Sequence, residues 1–170
     1  MSPLDHRKIG NRVPDVEFPV RENDEWRKIT SNEIFDKKNV VIFALPGAFT
    51  PTCSSSHLPG YSAHANEIRA TGIDSIYCLS VNDWFVMQAW KDNLSVGEEI
   101  TMLPDGNMDF TKDMGMLLDK RHLGFGPRSW RYSMVVRDWS IDKLFVEDFA
   151  DDGDPFAVSG APNMLQNLIS

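Results

Sequence analysis

The stretch LPGAFTPTCSSSHLPGY, Leu45–Tyr61, brings together residue types that can act on a substrate. Cys53 sits among prolines, threonines and serines where a strand gives way to a helix, whereas a cysteine kept for packing sits in an apolar run. The thiolate is the reactive form of cysteine, and a free thiol is mostly protonated at neutral pH. The N-terminus of a helix, with its unpaired N–H groups and dipole, favours a negative charge, and a nearby cation favours it further. Thr50, three residues earlier, offers a hydroxyl that donates and accepts and can hold a small polar substrate against the sulfur. Pro46 and Pro51 stiffen the loop, and Gly47 permits close backbone approach. Spacing alone leaves open both a nucleophile and a small buried core thiol. For Cys78, within SIYCLSV, a buried and inert thiol is the expectation.

Elements able to position Cys53 follow from periodicity. Val16–Thr30 reads as two short strands with a polar turn, an N-terminal β-hairpin, and Thr30 with Glu33 matches a capping box opening a short helix. Asn39–Pro46 is an apolar run ended by proline, a buried central strand. A helix is expected from about Cys53 to Ala70, bent at Pro59-Gly60 and closed by Thr71-Gly72. Ile73–Val81 is a second buried strand, and Asn82 is expected to cap a helix over 83–94. A short strand over 100–106 and a short helix follow. Two strands over 129–138 and 141–149 are separated by Trp139-Ser140. An acidic loop, DDGDPF, is expected to be solvated, and the last helix carries Pro162 in its first turn. The pattern predicts an α/β domain with a mixed central sheet flanked by helices, spanning residues 1–170 as one domain.

Composition narrows the function. The chain has 170 residues, 42% of them hydrophobic, and a net charge of −8. No Lys/Arg cluster stands out, which argues against nucleic acid or an anionic membrane surface as partner. The N-terminal MSPLDHRKIGNRV lacks the apolar stretch of a secretory signal, no transit peptide is evident, and no run approaches the ~18 apolar residues of a membrane helix. Two cysteines are no disulfide framework, and a reducing, cytoplasmic setting fits. Asp83, Asp92, Glu98 and Glu99 have no His/Cys spacing and read as a solvated face, so no metal is expected. Gly124-Phe125-Gly126 is no nucleotide fingerprint. His57, four residues after Cys53, allows a thiol-hydrolase dyad, but no third orienting residue is visible, and shaping the loop is the simpler role. Trp84, Phe85 and Trp90 fall at helical spacing, with core packing the default.

At P-x-x-x-T-x-x-C, here Pro46, Thr50 and Cys53, the sequence resembles the peroxiredoxin signature. PGAFTPTCSSSHLPGY is close to the form of the peroxiredoxin-5 group, and the likeness continues through CLSVNDWFVMQAW, LPDGNMDFTKDMGML, RSWRYSMVV and VSGAPNML. The resemblance implies a thioredoxin fold and reduction of hydroperoxides, without a bound cofactor, by Cys53 as peroxidatic cysteine. It also implies that Thr50 bonds the peroxide, Pro46 shields the sulfur, the N–H groups of Gly47 and Cys53 bind substrate oxygens, and Arg131, in WRYSM, supports the thiolate. Arg128 and Arg137 read as surface charges. Many members of the group carry a resolving cysteine shortly before the C-terminal APN, where Val158 stands here. The likeness is therefore to members resolved by an outside thiol, glutathione with glutaredoxin or thioredoxin, and above all to bacterial hybrids fused to glutaredoxin. A homodimer is implied, with Trp84 or Phe85 partly exposed near a contact. A redox sensor signalling through oxidised Cys53, and a thioredoxin-fold disulfide reductase, are the rival functions; the missing C-x-x-C speaks against the second.

Overall fold

The computed structural model describes residues 8–151 and 153–170. Most of the stretch on which the leader reading rests, residues 1–7, lies outside them, as does position 152 of the acidic loop. The chain opens with β1 (Glu17–Glu22) and β2 (Glu25–Thr30), an antiparallel hairpin. Its turn residues Asn23 and Asp24 both take positive φ, 54° and 63°, the conformation that Asn and Asp tolerate best in two-residue hairpin turns. Helix α1 (Ser31–Phe35) follows, and Thr30 Oγ1 accepts from the Glu33 amide at 3.2 Å. Only this half of the expected capping box forms, because the Glu33 carboxylate takes the Arg27 guanidinium instead.

Strand β3 (Asn39–Ala44) lies at the centre of a five-stranded sheet, between parallel β4 (Ser75–Ser80) and antiparallel β8 (Tyr132–Arg137). The order is β5-β4-β3-β8-β9, with β5 (Thr101–Pro104) and β9 (Ser140–Val146) at the edges. The apolar run of β3 reflects two covered faces. Val41 and Phe43 enter one core with Leu45, and Val40, Ile42 and Ala44 enter the other. Each such fully buried side chain contributes about 1.5–3 kcal/mol. Helices α2 (Leu58–Ala70), α3 (Trp84–Asn93) and α5 (Ala161–Ile169) cover the first core. The hairpin, α1 and α4 (Asp109–Asp113) cover the second. This is the expected thioredoxin fold with its N-terminal β-hairpin.

Some boundaries differ from the sequence reading. Asp83, not Asn82, caps α3, its carboxylate accepting from the Val86 amide at 3.0 Å. Asn82 Oδ1 is engaged by Ala48 N–H and Ser80 Oγ. The turn between β8 and β9 is Asp138-Trp139, with φ of 45° and 72°; Ser140 already pairs with Arg137. A short pair, β6 (Leu117–Asp119) and β7 (Pro127–Ser129), went unread. These three-residue strands are too short to show a period.

Ahead of α2 the helix does not bend at Pro59 but widens. Residues 53–57 form a π-turn, and the Leu58 amide donates to the Cys53 carbonyl five residues back. Pro59 has no N–H for the carbonyl four residues before it, so the regular ladder cannot run through this point. Gly72, at φ 103°, ends α2 in the left-handed conformation that glycine adopts without strain.

Candidate active site

Alternation along the sheet decides which side chains meet. Cys53 belongs to the core that Val41, Phe43, Cys78 and Val135 share. Counting back from Val135 in steps of two puts Ser133 and Arg131 on the same face of β8 and its lead-in. Arg131 thus points under the π-turn, and its Nη2 donates to Cys53 Sγ at 3.3 Å. Cys53 is fully buried and Arg131 only 1% exposed.

The guanidinium is held from three sides. Nη1 donates to His57 Nδ1 at 2.9 Å, and Nη2 also reaches Asp154 Oδ1 at 2.7 Å. The Phe156 ring stands 5.7 Å away. Arginine has no acceptor, so His57 Nδ1 must be the lone pair and Nε2 carries the proton, donated to the Ser159 carbonyl at 3.1 Å. Burial, followed by the Arg131 charge, pushes His57 well below its ordinary value. Both ring nitrogens are thus engaged away from the sulfur, which removes the Cys–His dyad. Asp154 corrects the reading of DDGDPF as a wholly solvated loop.

The proline side of the site is as closely tied. Thr50 Oγ1 donates to the Gly47 carbonyl at 2.6 Å, which leaves its oxygen lone pairs available. The Thr50 carbonyl accepts from Ser54 N–H at 3.0 Å, starting the helical turn that carries Cys53. Pro46 and Gly47 are buried. Arg128 is no surface charge: its Nη1 donates to the Pro46 carbonyl at 3.1 Å and its Nε to the Phe125 carbonyl at 3.0 Å. A Cβ on Gly47 would lie 2.6 Å from Arg128 Nη1, so any other residue here would push the guanidinium aside. Burial lowers the Arg128 pKa, opposed by the charge of Cys53. Arg137, paired with Asp142 at the surface, is placed as expected.

Behind the site, the Glu147 carboxylate is 2% exposed. It accepts from the amides of Ala157, Val158 and Ser159 and from Ser159 Oγ, at 2.6–3.0 Å. Burial pushes its pKa up, but these four bonds outweigh it and hold the group below the ordinary value. The anchored Ser159 carbonyl receives both His57 and Tyr61 Oη. Cys78 is buried in β4 as expected, and burial, then the charge of Cys53, pushes its thiol well up. Trp90 is buried and donates to Ser54 Oγ at 2.9 Å, whereas Phe85 is exposed. In front of Pro46 and Thr50 opens a cavity of about 420 Å³, walled by Pro51, Leu123, Phe125, Lys120 and Asp154. Among the described residues no cluster of His, Cys, Asp or Glu could hold a metal ion, and no helix is long and apolar enough to cross a membrane.

The chain as a whole is similar to known proteins. Hybrid peroxiredoxin hyPrx5 of Haemophilus influenzae is 52% identical over 159 residues, 94% of this chain, which spans 65% of that protein's length. A Synechocystis peroxiredoxin is 50% identical, with 92% of this chain and 89% of that one covered. Among solved structures, reduced Prx3 of Vibrio vulnificus in complex with H2O2 superposes at a TM-score of 0.88, with 38% identity over 95% of this chain and 99% of that one. The redoxin family model matches residues 8–165, nearly everything that builds the fold and the site. By that match and by these relatives, the chain belongs to the redoxin family and, within it, to the peroxiredoxins.

Proposed function

We propose that this protein is a thiol peroxidase that reduces hydrogen peroxide and small organic hydroperoxides through Cys53, without a cofactor. The observation that carries the reading is the contact of Arg131 Nη2 with Cys53 Sγ at 3.3 Å, beside the loop that carries Pro46 and Thr50. Arg131 sets a positive charge where the thiolate stands and where charge develops on the departing oxygen. The Thr50 oxygen accepts the peroxide O–H and aims the O–O bond at the sulfur, and the Gly47 and Cys53 amides bind the peroxide oxygens. Pro46 keeps bulk water off the sulfur. Attack on one peroxide oxygen forms the S–O bond and breaks O–O, leaving a sulfenic acid; the other oxygen leaves with a proton as water or alcohol.

The cycle closes with an outside thiol, glutathione with glutaredoxin or thioredoxin, because Val158 stands where many relatives have a resolving cysteine and Cys78 is buried. The complex of Vibrio vulnificus Prx3 with H2O2 supports the substrate, and the hybrid peroxiredoxin of Haemophilus fits this setting. The reading takes residues 1–170 as one domain acting in the cytoplasm as a homodimer, with the exposed Phe85 and the neighbouring Trp26 ring, 5.9 Å away, as a contact face. Peroxide consumption measured with each reductant in turn tests it. Turnover beyond one peroxide per chain supports a peroxidase, and a single stoichiometric reaction means a sensor.

A further inference from the structure

The cavity in front of Pro46 and Thr50 holds more than a peroxide needs. Its walls are mostly apolar, yet Lys120 is one of them. Lys120 is only 6% exposed. Among the described residues its ammonium meets the Trp130 ring, 4.7 Å from the centroid, and no acceptor. The ammonium is not sealed off from solvent, and a charged donor at a cavity wall recognises an anion of matching size. Asp154, on the same cavity, gives one oxygen to Arg131 and leaves its side chain 43% exposed.

We propose that this cavity is a subsite for an amino-acid or peptide thiol, whose carboxylate is read by Lys120 and whose ammonium lies toward Asp154. A hydroperoxide with an apolar tail uses the walls and neither charge, whereas a thiol of amino-acid type uses all three. The inference rests on the peroxidase reading, since it names the reductant of the same sulfur. The thiolate R–S⁻ attacks the sulfenic sulfur of Cys53; an S–S bond forms, S–O breaks, and the hydroxide takes a proton and leaves as water. A second R–S⁻ then attacks the mixed disulfide, releasing R–S–S–R and the Cys53 thiolate. Two thiols lose the two electrons that the sulfenic acid gains.

Cysteine and cysteamine differ in the carboxylate alone and serve as probes. The full chain is first oxidised with one equivalent of hydrogen peroxide, and the sulfenic acid on Cys53 is verified by mass. The rate of its reduction by each thiol is then followed at constant ionic strength. Cysteine reacts roughly tenfold faster than cysteamine, the factor expected of one charge-assisted hydrogen bond. Lys120→Met brings the ratio close to one, and Lys120→Arg keeps it. In the unmutated protein, propionate slows the reaction with cysteine by competition, which tests the subsite whether or not Lys120→Met folds. Equal rates for the two thiols, an unchanged ratio in Lys120→Met, or no effect of propionate overturns the subsite. If no sulfenic acid forms on Cys53, it is the peroxidase reading that falls.

Discussion

Arg131 Nη1 lies 2.9 Å from His57 Nδ1, at a place where neither side chain is more than 1% exposed. The imidazole can accept that hydrogen bond only while it is neutral, and protonation would set two cations face to face. The folded-state pKa of His57 is therefore held far below its unfolded value of about 6.5. A histidine kept neutral in the fold contributes its full share of stability above that unfolded value and loses it as pH falls further. Urea unfolding is expected to lose about 1.4 kcal/mol per pH unit below ~6.5 from this group alone. His57→Asn lacks that slope. An equal pH dependence in the two proteins counts against the buried neutral histidine.

The two cysteines are expected to separate cleanly. Cys53→Ser abolishes peroxide consumption, and Cys78→Ser retains most of it, because Cys78 is buried in β4 with its thiol pushed up by that burial. Substantial turnover by Cys53→Ser rules out the assignment.

Arg131→Met slows oxidation of Cys53 by about 10²–10³-fold, the usual cost of losing a charge aimed at the reacting centre. Arg128→Met acts at one remove, by loosening the carbonyl of Pro46. Its loss is up to about tenfold, the scale of one hydrogen bond. Stopped-flow rates with hydrogen peroxide order the two, and equal effects would mean that the sulfur depends on the loop rather than on the guanidinium.

Treated with peroxide alone, the protein accumulates sulfenic and then sulfinic acid on Cys53. With glutathione present it forms a mixed disulfide that glutaredoxin releases. Intact-mass spectrometry distinguishes these states. A stoichiometric Cys53–Cys78 disulfide within one chain contradicts the one-cysteine cycle, and a Cys53–Cys53 bond between chains indicates another route.

The sheet was legible because β3, β4 and β8 are apolar runs with proline, glycine or polar breaks at their ends, and the loop at Pro46, Thr50 and Cys53 because its composition is unlike a core. What escaped was carried by pairs distant in sequence. His57 meets Arg131 across 74 residues and Arg128 meets Pro46 across 82. Neither spacing has a local period, so Arg128 read as a surface charge and Asp154 as part of a solvated loop. Glu147 gave no sign at all, since three of its four partners are backbone amides, which every sequence supplies. The one-residue shifts at Asp83 and Asp138 have a simpler cause. Neighbouring polar residues, Asn82-Asp83 and Asp138 before Trp139, compete for the same cap or turn, and packing decides between them.

The π-turn divides the proposed cycle in two. A peroxide, little larger than a water molecule, needs only a slight loosening of the wound turn to reach the sulfur. A thiol needs more: it must bring its own sulfur to about 2.0 Å along the line of the new bond, and Cys53 is fully buried. The reducing half therefore runs through local melting. The segment that melts is short, because α2 restarts at Leu58 and Pro59 already interrupts the ladder between them. Ser55 and Ser56 are exposed, whereas Cys53 is tied to Arg131, Ser54 to Trp90, and His57 to Arg131 and Ser159. Opening these five residues leaves the thirteen of α2 wound, and each thiol reduces the sulfenic acid in proportion to the fraction of time that stretch is open.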